Sequence, residues 1–432
     1  MKLKILSAIC LLPFAAFAGG FQIPQQSIKA TGLGGAYMGI CSDAAAVFYN
    51  PGGMCNTLGQ NFTVAGLGLF PYVSVLTPDN VNTDQTSKVF TPIEVYYSGQ
   101  VSKKLWVGLS INNQFGSSAS YPEQWEGMYI VQTIKLETFM FQPTIAYKIC
   151  DKLSIGAGFV YTLGSFAATK AIPVSSQNSN NGEVSIDGTG HSFGFNVGAF
   201  SKLWEHKAAD STKMAENIQL GVSYRSGQPF NVSNGTANFT DVPASLESQF
   251  PSSENFSTQV NLPAVFSAGI AINLMKGNWH FTIAYDFNYT MWSTYDSLHF
   301  SFDDPNTPSS GYIYNWKNAM ANRMGIEATY KQKYTLRVGY YIDGSPIQDG
   351  YVSPEVVDAT NSGFSIGASY QCCKNLSVDF AYLRSDFTRN NTTWQQQGSV
   401  YDFQASYHRI VNVFGIGVNY HLNCKMCHNS SN

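Results

Sequence analysis

The chain has 432 residues, with 25 Lys and Arg against 28 Asp and Glu for a net charge of -3; charged residues make up 12% of it and aromatic residues 14%. A typical soluble domain is about 25% charged, yet past residue 18 no apolar run approaches the ~20 residues that a spanning helix needs, which excludes a helical membrane protein. Apolar residues diluted one-to-one by polar ones fit the other structure that satisfies its backbone inside lipid, a closed β-barrel. No basic face with interleaved aromatics appears, so nucleic acid is not an expected partner.

Lys2 and Lys4 precede an apolar run from Ile5 to Phe17 that closes on Ala16-Phe17-Ala18, the pattern of a signal peptide over residues 1–18. No linker or charge block divides the remainder, so a single large domain is expected. Residues 19–57 are rich in Gly, Ala and small polar side chains and read as neither a long helix nor a strand. They end near Asn50-Pro51-Gly52-Gly53, where Pro fixes φ and two glycines permit geometries closed to other residues.

Residues 58–422 read as a transmembrane antiparallel barrel of about 14 strands, an all-β fold. Alternation is strictest from Trp279 to Met291, where Trp279, Phe281, Ile283, Tyr285, Phe287, Tyr289 and Met291 share one face and His280, Thr282, Ala284, Asp286 and Asn288 the other. Comparable segments are Phe62 to Tyr72, Ile93 to Val101, Leu105 to Asn112, Phe139 to Tyr147, Leu153 to Leu163, Ser192 to Phe200, Ile218 to Arg225 and Leu262 to Ile272. They continue at Met324 to Tyr330, Tyr334 to Ile342, Phe364 to Tyr370, Leu376 to Tyr382 and Val413 to Leu422. Tight links such as Ser102-Lys103-Lys104, Cys150-Asp151-Lys152, Lys331-Gln332-Lys333 and Cys373-Lys374-Asn375 alternate with long Ser, Asn and Pro-rich ones. Short turns face the periplasm and long loops the outside, which puts both chain ends in the periplasm. The longer Glu205 to Asn217 turn is expected to hold a short helix.

The alternation places Arg225, Asp286, Arg323, Glu327, Arg337 and Asp379 in the lumen, where buried charges require partners. Ion pairs between wall and plug are the expected role of most of them. Of eight cysteines, one lies in the signal segment and the other seven in the plug, in periplasmic turns or in the tail at 423–432. Cys41 and Cys55 flank the Asn50-Pro51 turn and are the expected disulfide. Cys424-Lys425-Met426-Cys427-His428 matches a c-type haem attachment pattern. It lies in a short tail with no accompanying domain and no evident distal ligand, so disulfide or metal chemistry of these residues stands ahead of haem, and no cofactor is expected.

Gly20-Phe21-Gln22-Ile23, Gln26-Ser27, Gly32-Leu33-Gly34-Gly35-Ala36-Tyr37, Asp43-Ala44-Ala45 and Phe48-Tyr49-Asn50-Pro51-Gly52-Gly53-Met54 together resemble the amino-terminal plug, or hatch, of the FadL family of outer-membrane long-chain fatty-acid transporters. Gly52 stands where that family usually has Ala. Further segments resemble the family along the chain: Leu136-Glu137-Thr138, Tyr224-Arg225-Ser226, Asn261-Leu262-Pro263, Tyr285 through Trp292-Ser293, and Asp343-Gly344-Ser345-Pro346-Ile347.

The resemblance implies a monomer in the bacterial outer membrane, in contact with its lipid, that passes a long-chain fatty acid or similar hydrophobic molecule through a plugged barrel by plug movement or a wall opening. It makes Asn50, Pro51, Gly52 and Gly53 the candidate gate. The candidate partners of a ligand carboxylate are Arg323 with Lys317 at the outer end of its strand, then Lys170. The family's outer loops form a greasy groove, assigned by resemblance to Phe230, Val242, Leu246, Phe250 and Phe256. Trp125, Met128, Tyr129, Ile130 and Val131 are the apolar residues of another outer loop. The rival classes are a general porin, which needs an open lumen, and a barrel-type lipid hydrolase, for which Ser406 and His408 have suitable spacing.

Overall fold

The computed structural model describes residues 19–86, 88–174, 181–206, 214–307, 310–395 and 402–422. The expected signal segment and the Cys424 to His428 tail lie outside these. In chain order the strands are β1 (Gln60–Leu76), β2 (Asn82–Asp84), β3 (Ile93–Gln100), β4 (Leu105–Asn112), β5 (Gly116–Ser120), β6 (Thr133–Cys150), β7 (Leu153–Ile172), β8 (Gly182–His206), β9 (Ala215–Arg225) and β10 (Gln228–Thr240). They continue as β11 (Ser253–Leu262), β12 (Val265–Lys276), β13 (Trp279–Thr290), β14 (Ser297–Phe302), β15 (Ser310–Ile313), β16 (Ala319–Tyr330), β17 (Tyr334–Asp343), β18 (Asn361–Cys373), β19 (Leu376–Trp394) and β20 (Phe403–Leu422).

Fourteen of them close into one antiparallel barrel in the order β1, β3, β4, β6, β7, β8, β9, β12, β13, β16, β17, β18, β19, β20 and back to β1. Each overlaps one of the fourteen segments read from alternation, although Val101 and Met291 fall just past β3 and β13, and Leu262 belongs to β11 rather than β12. The closing pair runs unbroken from Gln60↔Leu422 to Leu76↔Ser406, so the wall has no free edge to template aggregation. In β17 the period-2 logic is plain: Thr335, Arg337, Tyr341 and Asp343 point inward and are buried, while Tyr334, Leu336, Val338 and Tyr340 point outward, Leu336 at 68% exposure. Outward residues such as Val64, Ile145, Phe159, Phe364, Phe380 and Ile416 extend this apolar surface around the wall, as lipid requires. The β12–β13 and β16–β17 connections are tight, helped by Gly277 (φ 59) and by Lys331 and Gln332 (φ 52 and 53).

Sequence periodicity misses what stands above the wall. The groove segment is no loop but a hairpin, β10 and β11, docked on the outer part of β8 and continued by β14 and β15. Pro229, Pro243 and many Ser and Asn hide its alternation. β7 and β8 also extend well past the segments Leu153 to Leu163 and Ser192 to Phe200, to Ile172 and back to Gly182. The Glu205 to Asn217 turn is partly strand, with β8 reaching His206 and β9 starting at Ala215; residues 207–213, where a helix was expected, lie outside the described residues.

The plug fills the lumen with two short helices, α1 (Ile28–Gly32) and α2 (Ala46–Tyr49), followed by a 3-10 turn, Pro51–Asn56. Ser27 caps α1 by accepting from the Ala30 amide at 3.4 Å. Gly34 (φ 66) turns the chain where a side chain would meet the Tyr340 backbone at 2.7 Å. Tyr37 is the plug's hub: its hydroxyl donates to Asp43 at 2.6 Å and accepts from the Ser42 and Asp43 amides.

Candidate functional site

Above the plug, the hairpin, the outer ends of β6, β7 and β8 and the long outer loops enclose a cavity of about 260 Å³. A site of ~10–15 Å³ on this measure holds one water, so the space suits a far larger guest. Its wall is mostly aliphatic and aromatic, with Ile130, Val131, Leu136, Phe166, Val260, Phe300 and Phe302 among the lining residues. Among the described residues Lys170 is the one cation in that lining. Its ammonium donates to the Tyr312 hydroxyl and lies 5.0 Å from the ring centre. Glu355 is the acid in the same wall, accepting from Tyr314 at 3.1 Å and Ser353 at 3.0 Å. Burial pushes its carboxyl above the usual range, against the pull of the Ser353 hydroxyl and Lys170.

The expected groove residues divide between packing and lining. Phe250 lines the cavity, Phe230 on β10 and Phe256 on β11 are fully buried, and Val242 packs against the same apolar cluster. Leu246 sits on the 3-10 turn Ala244–Leu246, half-buried and away from the cavity wall. Trp125 stacks on Tyr121 at 4.0 Å, while Ile130 and Val131 reach the cavity itself.

Two further cavities continue the space downward. One of about 160 Å³ shares Phe21, Ser117, Glu355 and Val356 with the upper cavity. A smaller polar one of about 80 Å³ shares Gly19, Gln22, Ile23, Pro24 and Asp343 with the middle one. The segment Gly19–Gln26 is thus the common partition along the path. Asp358 accepts from the Gly20 amide at 3.2 Å. At the wall, Ile23 donates to the Gln114 carbonyl at 2.8 Å and Gly116 to the Phe21 carbonyl at 3.0 Å. This contact lies where the wall is interrupted: Asn112 pairs with Met140 and Gly116 with Glu137, leaving Asn113, Gln114 and Phe115 outside any strand. Sequence reading ends a strand at Asn112 but carries no signal that the chain resumes against the same neighbour.

Around the polar cavity the luminal charges hold the plug. Asp286 accepts from the Tyr37 and Met38 amides at 2.7 Å each. Arg323 pairs with Asp343 at 3.0 Å and takes Asn288 at 2.9 Å, so its carboxylate partner is the protein's own. Lys317 is exposed to solvent and lines none of the three cavities, so the structure does not bring Arg323 and Lys317 to one site. Lys317 precedes β16, which begins only at Ala319, so it is not held on the strand that carries Arg323. Arg337 pairs with Glu327 at 2.6 Å and faces Asp379 at 3.9 Å. Arg225 donates to the Phe48 carbonyl at 2.9 Å and to Gln142 at 2.8 Å.

The Asn50 to Gly53 turn is buried against β7 and β8. The Asn50 amide donates to the Ala199 carbonyl at 3.0 Å, its oxygen accepts from the Gly52 amide at 3.1 Å, and Ser154 donates to the Gly52 carbonyl at 2.8 Å. A methyl group on Gly52 would meet the Ala199 Cα at 2.9 Å, which accounts for Gly here. The expected Cys41–Cys55 bond is not present; both are free thiols. Cys41 turns toward the Met38 carbonyl at 3.4 Å and packs on Gly53, whereas Cys55 faces Ser154 on β7. Burial pushes the Cys55 thiol up to about 12. On the outer wall His408 lies 3.2 Å from Asp386, but the Ser406 hydroxyl accepts from the Asn391 amide and has no bond to His408 among the described residues.

The molecule is thus a closed wall of fourteen strands with an amino-terminal plug and a path along that plug. A family profile described as outer membrane protein transport protein (OMPP1/FadL/TodX) matches residues 9–422. The chain belongs to this family.

Among FadL-family relatives, the long-chain fatty acid transport protein of Salmonella typhi is 24% identical over 402 residues, covering 88% of this chain and 90% of its own. Outer membrane protein P1 of Haemophilus influenzae is 22% identical over 464 residues, covering 96% and 97%. The crystal structure of a Pseudomonas aeruginosa FadL homologue superposes with a TM-score of 0.77 at 17% identity, over 93% of this chain and all of the other. The P. putida toluene transporter TodX does so with 0.65 at 14% identity, covering 94% and 99%. Membership places this FadL-family chain in the bacterial outer membrane as a transport protein.

Proposed function

We propose that the protein admits long-chain fatty acids, seating the alkyl chain in the upper cavity with its carboxylate on Lys170. One observation carries this reading: an apolar cavity of about 260 Å³ with a single cation in its lining, continuous in its walls with a path along the amino-terminal segment. An ammonium has three donors. Tyr312 takes one, which leaves two for a carboxylate arriving from outside. Onward passage then requires the partition Gly19–Gln26 to leave the interrupted wall at Asn113–Phe115, or the Asn50–Gly53 turn to shift. The gap would release cargo sideways into lipid and the turn would release it into the periplasm.

Glu355 favours a second reading. It offsets the Lys170 charge, so a neutral hydrocarbon of similar bulk would fit the same cavity without a carboxylate. Lys170→Met distinguishes the two in purified protein. If the carboxylate sits on Lys170, the change weakens palmitate about tenfold or more and methyl palmitate little, as expected for a charged hydrogen bond of roughly 1.5–3 kcal/mol. Equal affinity of the unaltered protein for both ligands would establish the neutral reading instead.

A further inference from the structure

We propose that Arg225 is a second carboxylate-binding residue, deep in the path beside the plug, and that a carboxylate bound there loosens the plug. The proposal rests on the reading of the cargo as an acid. Arg225 ends β9 and is buried, at 5% exposure, in the wall of the small polar cavity with Asn196, Ser223, Ser267 and Thr290. Three other luminal cations, those that hold or adjoin the plug, have carboxylates: Arg323 has Asp343, Arg337 has Glu327 and Asp379, and Lys29 has Asp43. Among the described residues Arg225 has none. It is held instead by neutral acceptors, the Gln142 amide at 2.8 Å and the Phe48 carbonyl at 2.9 Å, with the Phe48 ring centre 4.4 Å from its guanidinium carbon. Buried charges are normally compensated, because removing an ion from water is costly and a neutral dipole offsets only part of that cost. A guanidinium so placed has the fork geometry to take a carboxylate on two donors.

The other charged groups in this cavity wall are already committed or opposed in sign. One Asp286 oxygen is taken by two plug amides, Arg323 is neutralised by Asp343, and an acid approaching Arg225 therefore meets one uncompensated cation. The cavity shares Gln22, Ile23 and Pro24 with the one above, so an acid released from Lys170 would reach it along the partition.

Binding there reaches the plug directly. The Phe48 carbonyl is clamped twice, by Arg225 and by Asn196 at 2.8 Å, and these two residues face each other across β8 and β9. Phe48 lies in the last turn of α2, immediately before Tyr49 and the Asn50-Pro51 turn. A carboxylate on the guanidinium competes for the donor that Phe48 uses. Its arrival removes one of two bonds fixing the plug beside its candidate gate.

The test uses the full-length protein in liposomes, with palmitate and methyl palmitate as probes. Arg225→Gln is expected to slow palmitate transfer by about tenfold or more and methyl palmitate by less than about twofold, with palmitate binding at the upper cavity unchanged. Arg225→Lys, which keeps the charge but loses the two-donor fork, should recover only part of the loss and still slow palmitate more than methyl palmitate. Palmitate should also raise hydrogen exchange over residues 46–53 in the unaltered protein but not in Arg225→Gln. Equal slowing of both probes, or no slowing of palmitate, overturns the proposal. The Lys170 reading fails separately, if Lys170→Met leaves palmitate binding unchanged while Arg225→Gln still discriminates. Each variant must retain heat-modifiable migration, and if Arg225→Gln does not, Arg225→Lys with the same two probes decides.

Discussion

At the scale of single residues, the plug is set by a few charges whose partners lie on other segments. Asp43 accepts from Tyr37 and pairs with Lys29 at 3.1 Å, with both side chains largely buried. Burial alone would push the Asp43 carboxyl up, but Lys29, the Tyr37 hydroxyl and the Ala45 amide together hold it below the usual carboxylate range. Burial opposes the Lys29 charge too, yet Asp43 and Asp379 leave its affinity for the proton raised. A depressed carboxyl contributes stability above its unfolded value, near pH 4, and loses it as pH falls further; a raised ammonium loses its contribution only well above pH 10. The plug is therefore expected to hold from weakly acid to strongly alkaline pH and to loosen below about pH 4. Asp43→Asn should reproduce the acid state at neutral pH, because it leaves Lys29 buried without a partner, at a cost of about 3–5 kcal/mol. Hydrogen exchange of the Ala30 and Tyr37 amides reads it, and unchanged protection would make the pair incidental.

The turn at Asn50–Gly53 is one of the two elements proposed to move for passage, and its packing offers a two-residue test. A methyl group on Gly53 would lie 2.3 Å from the Cys41 sulfur and 2.6 Å from its Cβ, so Gly53→Ala must displace the turn or Cys41. Cys41 has φ 43, a conformation that glycine adopts at no steric cost. Gly53→Ala should slow uptake per surface-exposed molecule several-fold, and adding Cys41→Gly should restore it. Unchanged uptake in the single variant would leave the turn a connector. The turn was legible in the sequence through its Pro and Gly residues, as were the wall strands through their period of two. The hairpin β10–β11 was not, because prolines and polar residues break its pattern, and its groove residues were accordingly read as a loop. The upper cavity was invisible for a different reason: Lys170, Tyr312 and Glu355 meet only through the fold, and sequence gives no distance between them. Arg323 was overvalued for the same cause, since its neutralising Asp343 sits on the next strand at a register that alternation alone does not fix.

Across the whole molecule the two rims differ in chemistry. Lys103, Lys104, Lys148, Lys152, Lys202, Lys276, Lys331, Lys333 and Lys374 ring the end with tight turns, against Asp151, Glu205 and Glu216. Two sit on aromatic rings, Lys333 5.6 Å and 5.4 Å from the Tyr334 and Tyr370 ring centres and Lys331 5.3 Å from that of Tyr330. Such Lys and Tyr pairs belong at a headgroup boundary, where the alkyl stem lies on apolar surface and the charge reaches water. Cys150, Cys372 and Cys373 are exposed on this same rim. The opposite end carries the hairpin, the long loops and the upper cavity. In an outer-membrane barrel the tight turns are periplasmic, so the three cysteines should be hidden from reagents outside the cell. In intact cells a membrane-impermeant maleimide should leave all three unlabelled, and should label them once the outer membrane is permeabilised. Ser245→Cys, on the exposed turn beyond β10, supplies the opposite expectation, with labelling in intact cells. Reaction of Cys372 or Cys373 in intact cells, with Ser245→Cys protected, would invert the barrel and place the upper cavity in the periplasm, where it could not receive cargo from outside.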